Sequence, residues 1–251
     1  MRPFGDPVMK LKLSASAVVA TARHNNSATF TGLIVPSGAV APTIGQVDVE
    51  LYNIFPVDSN AVRAITVPTR ANSPSDVDFA SRGSAGSTLS FTTTSLASTF
   101  TAANSVLNGI HPSPNQNTLG EGAVTGTEVQ FNVNFTTAFD LAAGHYFFIP
   151  QVQVTNGEFE WLSAPRPTTG TPFPAGITDL QAWVRNGNLD PDWLRVGTDI
   201  VGGTTPPTFN MAFSLSGTQV PEPGTFGLMI SGLGALILLS RCRTKTLTSN
   251  R

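Results

Sequence analysis

The chain has 251 residues, of which only 12% are charged, against about 25% in an average soluble domain; Ser, Thr, Asn, Gly and Pro take up the difference. Between Ala28 and Gln219 fourteen acids face six arginines and no lysine, a net −8, while basic residues at the two ends bring the whole chain to −2. Such a body excludes a nucleic-acid binder, which needs Lys and Arg gathered on one face, and the single cysteine, Cys242, excludes an intrachain disulfide and a cysteine-based zinc site.

Residues 1–27 read as a signal-like or disordered N-terminus. Met9–Ala22, MKLKLSASAVVATA, opens with Lys10 and Lys12, runs through a modest apolar stretch from Leu13, and closes on Ala20-Thr21-Ala22. That small-x-small ending has the form of a signal-peptidase site. Two serines interrupt the run, so the expected signal is a weak one starting at Met9, with an untargeted disordered tail as the other reading.

Residues 28–219 read as one β domain. EVQFNVNF sets Val129, Phe131, Val133 and Phe135 on one face and Gln130, Asn132 and Asn134 on the other, the alternation of a half-buried strand. QVDVELYNI and TFNMAFSL repeat it, and ATFTGLIV, AVRAITV and TLSFTTT follow it less strictly. SLASTFTAANSVLNG fits either a helix or a loop. HYFFIPQVQV and EFEWLS flank Thr155-Asn156-Gly157, and Asn-Gly predicts a hairpin between them. Pro150 inside the first of these strands predicts an edge or a bulge, because proline cannot donate to a ladder.

Ser163–Gly176 is proline-rich and reads as a surface connection. TDLQAWVRNG predicts a short helix with Thr178 as its cap, Leu180, Trp183 and Val184 on one face, and Gly187 as its stop. Asp190-Pro191 reads as the start of a second short turn. The expected fold is all-β, an antiparallel β-sandwich or jelly-roll-like domain with one or two short helices, followed by a C-terminal transmembrane helix.

The end of the chain is the most specific part. Pro221, Glu222 and Pro223 lie in residues 220–224 and precede an uncharged apolar run, 225–240. As a helix that run rises about 24 Å, near the lower limit for a membrane span. Its glycines suit a membrane helix better than a soluble one. Arg241 and Arg243 form the membrane stop and open a basic tail, 241–251, that predicts a cytoplasmic C-terminus with the acidic body outside. Cys242 between them reads as a spectator thiol or a lipidation site.

A Pro-Glu-Pro leader, a short apolar span and an arginine cluster, in that order at a C-terminus, resemble the PEP-CTERM sorting signal of Gram-negative, exopolysaccharide-producing bacteria. The resemblance covers about 30 residues. It implies a substrate of an exosortase, a transpeptidase-like membrane enzyme that cuts near Pro-Glu-Pro. It implies export, transient anchoring in the inner membrane, and release to the cell surface or exterior.

No catalytic residue stands out in the body. His24, His111 and His145 are far apart and in no metal spacing, and His145 reads as a strand-end packing residue. There is no Gly-x-Ser-x-Gly elbow. Gly83–Ser87 is glycine-rich but precedes a strand pattern, so it is a turn rather than a phosphate loop. Glu158 and Glu160 share one strand face and read as its solvated side. Asp190, Asp192 and Asp199 are candidate calcium ligands through hard oxygens, without the twelve-residue helical loop pattern. Trp161 and Trp193 are candidate sugar-stacking platforms, while Trp183 reads as core. No cofactor is expected.

Three functions fit these features. The first is an exported surface or matrix protein with a structural or adhesive role and no catalysis. The second is a carbohydrate-binding module for exopolysaccharide. The third is a secreted hydrolase using an acid pair. Under all three, the intact mass of the mature protein is expected to lack residues 225–251; a mature surface form that retains them would refute the sorting reading.

Overall fold

A computed structural model describes residues 12–55, 72–106, 117–166, 180–186 and 189–220. In chain order the described strands are β1 (Lys12–Val19), β2 (Arg23–Pro36), β3 (Thr43–Ile54), β4 (Pro74–Gly83), β5 (Leu89–Ala102), β6 (Val124–Leu141), β7 (Gly144–Thr155), β8 (Gly157–Trp161), β9 (Ser163–Pro165), β10 (Trp183–Arg185), β11 (Leu194–Arg195), β12 (Phe209–Met211) and β13 (Phe213–Gln219). The only helical element among the described residues is one π-helical turn, Val196–Val201. The all-β, antiparallel expectation holds.

Two sheets share one core. The first runs β11-β10-β1-β7-β3-β4, and the second β13-β2-β6-β5, with β8 also paired to β2. The alternation read in EVQFNVNF is realised in β6, where Val129, Phe131, Val133 and Phe135 are buried. Phe30 on β2 stands opposite Phe131, and their rings stack at 4.7 Å. Phe148 from β7 closes on this pair from the other sheet at 6.3 Å and stacks on Phe213 at 5.1 Å. Burying a side chain of this size yields about 1.5–3 kcal/mol, so this aromatic layer is a main source of cohesion between the sheets.

Several expectations change. The apolar stretch of the expected signal, from Leu13 on, falls with Lys12 in β1, which pairs with β7 on one side and β10 on the other. Ala15 and Ala17 are buried, and so are Ser14 and Ser16. The serine hydroxyls donate to the carbonyls of Trp183 at 3.1 Å and Gln181 at 3.0 Å. Asn210 completes the backbone of Ser16, accepting from its N–H at 2.9 Å and donating to its carbonyl at 2.8 Å. The serines that interrupt the apolar run are therefore sites of attachment. A cut after Ala22 would remove an interior strand. Residues 1–11 lie outside the described residues.

The helix expected at 178–187 is not formed over its described part: Trp183–Arg185 is β10, because Trp183 and Val184 pair with both β1 and β11. SLASTFTAANSVLNG, open between helix and loop, continues β5 as far as Ala102. Asn156 does turn the chain, with φ 58°, but β7 and β8 do not form a hairpin. β8 pairs with β2 instead, so this corner hands the chain from one sheet to the other. Pro150 lies inside the sheet opposite Val49 of β3, at a point where the pairing of β7 with β1 has already ended at Phe148. TFNMAFSL breaks into β12 and β13 at Ala212. Its N–H donates to the Leu162 carbonyl at 2.8 Å, and its own carbonyl accepts from Thr31 N at 3.2 Å.

A polar network ties the first sheet together. Arg185 is buried and donates to the carbonyls of Asp76 at 2.9 Å and Pro191 at 3.2 Å, and to the Tyr52 hydroxyl at 3.0 Å. Tyr52 donates in turn to Glu50 at 2.9 Å and accepts from Lys12 at 3.0 Å, while Lys12 also pairs with Glu50. Burial, then the Glu50 carboxylate, push the Tyr52 phenol far above its ordinary value.

A body beginning at Arg23 is expected to lose the cooperative unfolding transition seen for one beginning at Met9. Denaturant melts followed by tryptophan fluorescence read this directly, and equal midpoints for the two chains would remove β1 from the core.

Candidate functional site

The sorting residues Pro221, Glu222 and Pro223, the span 225–240 and the stop residues Arg241 and Arg243 lie outside the described residues. Among the described residues no helix is long and apolar enough to cross a membrane. The chain divides into Met1–Thr218 and Gln219–Arg251, so the sites considered below belong to the first unit.

The two candidate stacking tryptophans are both largely buried. Trp193 is 1% exposed, with the Arg185 guanidinium 4.4 Å from its ring and Tyr52 edge-on at 5.5 Å. Its indole N–H donates to the Ser75 carbonyl at 3.1 Å. Trp161 is 9% exposed, meets Phe30, Phe148 and Phe213 edge-on, and donates to the Ala212 carbonyl at 2.9 Å. Sugar stacking needs an open ring face; the Trp193 ring is enclosed, while Trp161 is held in the core cluster and borders the cavity described below. Trp183 is core as expected, although on a strand.

The three aspartates do not converge on a cation site. Asp190 is exposed and pairs with Arg185 at 3.2 Å. Asp192 is fully buried. Asp199 accepts from the Arg195 backbone N–H at 2.7 Å and from Thr198 at 3.3 Å. No group of three His, Cys, Asp or Glu side chains able to hold a metal gathers among the described residues. His145 opens β7 and is buried, with its ring 4.8 Å from Phe147.

A cavity of about 940 Å³ lies at the end of the two sheets where β7 passes to β8. Among the described residues β8 pairs on one side only, with β2, and the cavity is lined by residues from both of its faces. Phe159 and Trp161 form part of the apolar wall, with Leu13, Val152 and Val154 beyond them; Glu158 and Glu160 come from the opposite face. Gly32 of β2 makes this packing possible, since a methyl group there would run into the Phe159 ring and the Glu160 carbonyl.

Glu160 is the residue that the alternation pattern misplaced. It lies opposite buried Leu33 in the β2–β8 pairing, so its face is covered rather than solvated. Its carboxyl group makes no hydrogen bond or ion pair with a described residue. Burial first, then the carboxylates of Glu158 and Glu121, push its carboxyl from 4.5 up to about 7. Nothing in the local pattern EFEW marks this, because the cover comes from chain segments distant in sequence.

The outer face of the second sheet offers a different surface. Cross-strand rows run Thr29–Asn132–Thr92 and Thr31–Gln130–Thr94, and Ser214 extends the first row through a 2.7 Å bond to Thr29. β5, at the end of that sheet, has no charged residue and no proline over its whole length. Leu96 and Phe100 on it are exposed at 50% and 38%.

Comparison with protein families matches residues 219–243 to the PEP-CTERM protein-sorting motif. Comparison with curated proteins and with solved structures returned no match. The sorting motif implies export, membrane anchoring before processing, and processing by exosortase, a membrane enzyme.

Because Glu160 holds its proton more tightly in the folded protein than in the unfolded chain, its contribution is most favourable below about pH 4.5 and declines as the pH rises through about 7. Glu160→Gln is expected to remove about 2 kcal/mol of that decline, a figure reduced because the side chain is partly exposed. Urea midpoints at pH 5 and pH 7.5 test it; parallel pH slopes for the two proteins would show a solvated carboxylate.

Proposed function

We propose that this exported protein is a surface or extracellular-matrix component with a structural or adhesive, non-catalytic role, and that β5 is the edge through which copies associate. The observation that carries the reading is the composition of that edge. Exposed edge strands in soluble proteins are usually blunted by lysine, proline or inward-pointing charge. β5 runs from Leu89 to Ala102 with none of these, and its pairing with β6 is regular from Leu89 to Ser95. Two such strands, both uncharged, pair antiparallel without repulsion and make an isologous contact. Beyond Ser95 the register shifts, which limits pairing to the first half and favours discrete association over open fibre growth.

A second reading, carbohydrate binding, is favoured by the rows of hydroxyls and carboxamides beside β5, which are neutral and able to bond to hydroxyl-rich polysaccharide. Acid-pair hydrolysis is disfavoured: Glu158 and Glu160 project from one face of one strand, whereas glycoside hydrolysis needs carboxyls on both sides of the scissile bond.

Thr92→Lys with Thr94→Lys is expected to abolish concentration-dependent association of the body in sedimentation while leaving the melting temperature within a few degrees. Wild-type body that stays monomeric at high concentration would overturn the edge reading. Retention on purified extracellular polysaccharide by the lysine variant as well as the wild type would favour the carbohydrate reading.

A further inference from the structure

We propose that the cavity beside β8 is a binding site for a small cationic amphiphile, whose apolar body lies against Leu13, Val152 and Phe159 and whose ammonium group is held by Glu160 and Glu158. The cavity meets β5 only at Ala102, outside the Leu89–Ser95 stretch through which copies are proposed to associate, so it stands or falls independently of the self-association reading.

Size is the first argument. A volume of about 940 Å³ lies at the upper end of the roughly 300–1,000 Å³ range of small-molecule sites. The lining is the second. Such sites are mostly apolar walls with a few polar groups that orient the ligand. Here the hydrophobic wall comes from both sheets and from the β11–β12 region, with Val184, Val196 and Met211 beside the residues already named.

Charge decides the ligand class. The charged residues that line the cavity are Asp48 on β3 and Glu158 and Glu160 on β8, and among the described lining residues there is no lysine, arginine or histidine. An anionic ligand would meet only like charge there. An ammonium group meets three carboxyl groups, with Glu121 close enough to act on Glu160 as well. Of the remaining polar lining, Gln46, Gln151 and Gln153 carry carboxamide oxygens able to accept from an N–H donor.

Glu160 adds a specific reason. A half-buried carboxyl with no donor among the described residues is costly when ionised, and a bound cation removes that cost by pairing with it. Of the charged groups around it among the described residues, Glu158, Glu121 and Asp48 are all acidic, and a bound cation supplies the opposite charge. A ligand amine keeps its proton well past neutrality. Affinity for it therefore rises as Glu160 ionises.

The test uses the body with its first strand intact and three eight-carbon probes: octylammonium, octanol and octanoate. Isothermal titration at pH 7.5 is expected to give saturable binding of octylammonium, at least tenfold weaker binding of octanol, and none of octanoate. Glu160→Gln is expected to weaken octylammonium at least tenfold, leave octanol unchanged, and melt no lower than the parent. Octylammonium affinity is expected to rise several-fold from pH 5.5 to pH 8 in the parent and to stay flatter in Glu160→Gln. If Glu160→Gln does not fold, Glu158→Gln serves as the second variant, with a smaller loss expected. Equal binding of octanol and octylammonium, an octylammonium affinity indifferent to both substitutions, or no saturable binding at all would each overturn the proposal.

Discussion

The first sheet depends on one buried guanidinium. Arg185 comes from a three-residue strand late in the chain, yet it bonds to β4 through the Asp76 carbonyl and to β3 through the Tyr52 hydroxyl. Tyr52 passes the connection to Glu50 and Lys12, and Lys12 belongs to β1. Four strands and the Pro191 turn are thereby referred to a single charge. Taking an arginine out of water costs several kcal/mol unless its donors are satisfied, and here carbonyls, a phenol and the Asp190 carboxylate satisfy them. Trp193 and Tyr52 then cover the cation, with its centre 4.4 Å and 5.3 Å from their rings. The arrangement explains why the outer face of the first sheet is dry: Tyr52, Phe147, Ile149, Trp183 and Trp193 form a second apolar cluster around it.

This second cluster also explains where pattern reading succeeds and where it stops. Strands with one face in the core and one near water, such as β6, show alternation and are legible from composition alone. β7 buries His145, Phe147, Phe148 and Ile149 in near succession, and period two disappears when both faces are covered. β1 is the extreme case. Its small residues, Ala15, Ser14 and Ser16, are chosen for close approach and for hydrogen bonds to β10 and β12, and the same small, weakly apolar composition is that of a modest signal sequence. The helical reading of residues 178–187 does not hold over its described part, 180–186, for a related reason: the spacing of Leu180, Trp183 and Val184 fits a helix face, but Trp183 and Val184 are held by strands on both sides, and pairing outweighs local propensity.

The candidate site was less legible than the fold. Glu160 and Glu158 sit two apart in a strand pattern, which reads as a solvated face unless the covering segments are known. The tryptophans drew attention because they are large and clustered in sequence, yet their indole N–H groups bond to the Ser75 and Ala212 carbonyls, as buried indoles usually require. The sorting signal, by contrast, was fully legible, because its meaning lies in the linear order of leader, span and basic stop rather than in any tertiary contact.

The attachment of β1 has a kinetic consequence. Ser14 bonds to a residue 169 positions later and Ser16 to one 194 positions later, so the earliest described strand is completed by nearly the last. Contacts of such wide sequence separation form slowly, because the intervening chain must be ordered first. A chain threaded outward from its N-terminus would hold β1 without neighbours on the β10 and β12 side until almost the whole body had crossed. At that moment the next residues to arrive are those of the sorting segment. Closure of the sheet and arrest at the membrane would thus fall close together in time, giving the body its last strands while the chain is still tethered and kept apart from other unfinished copies.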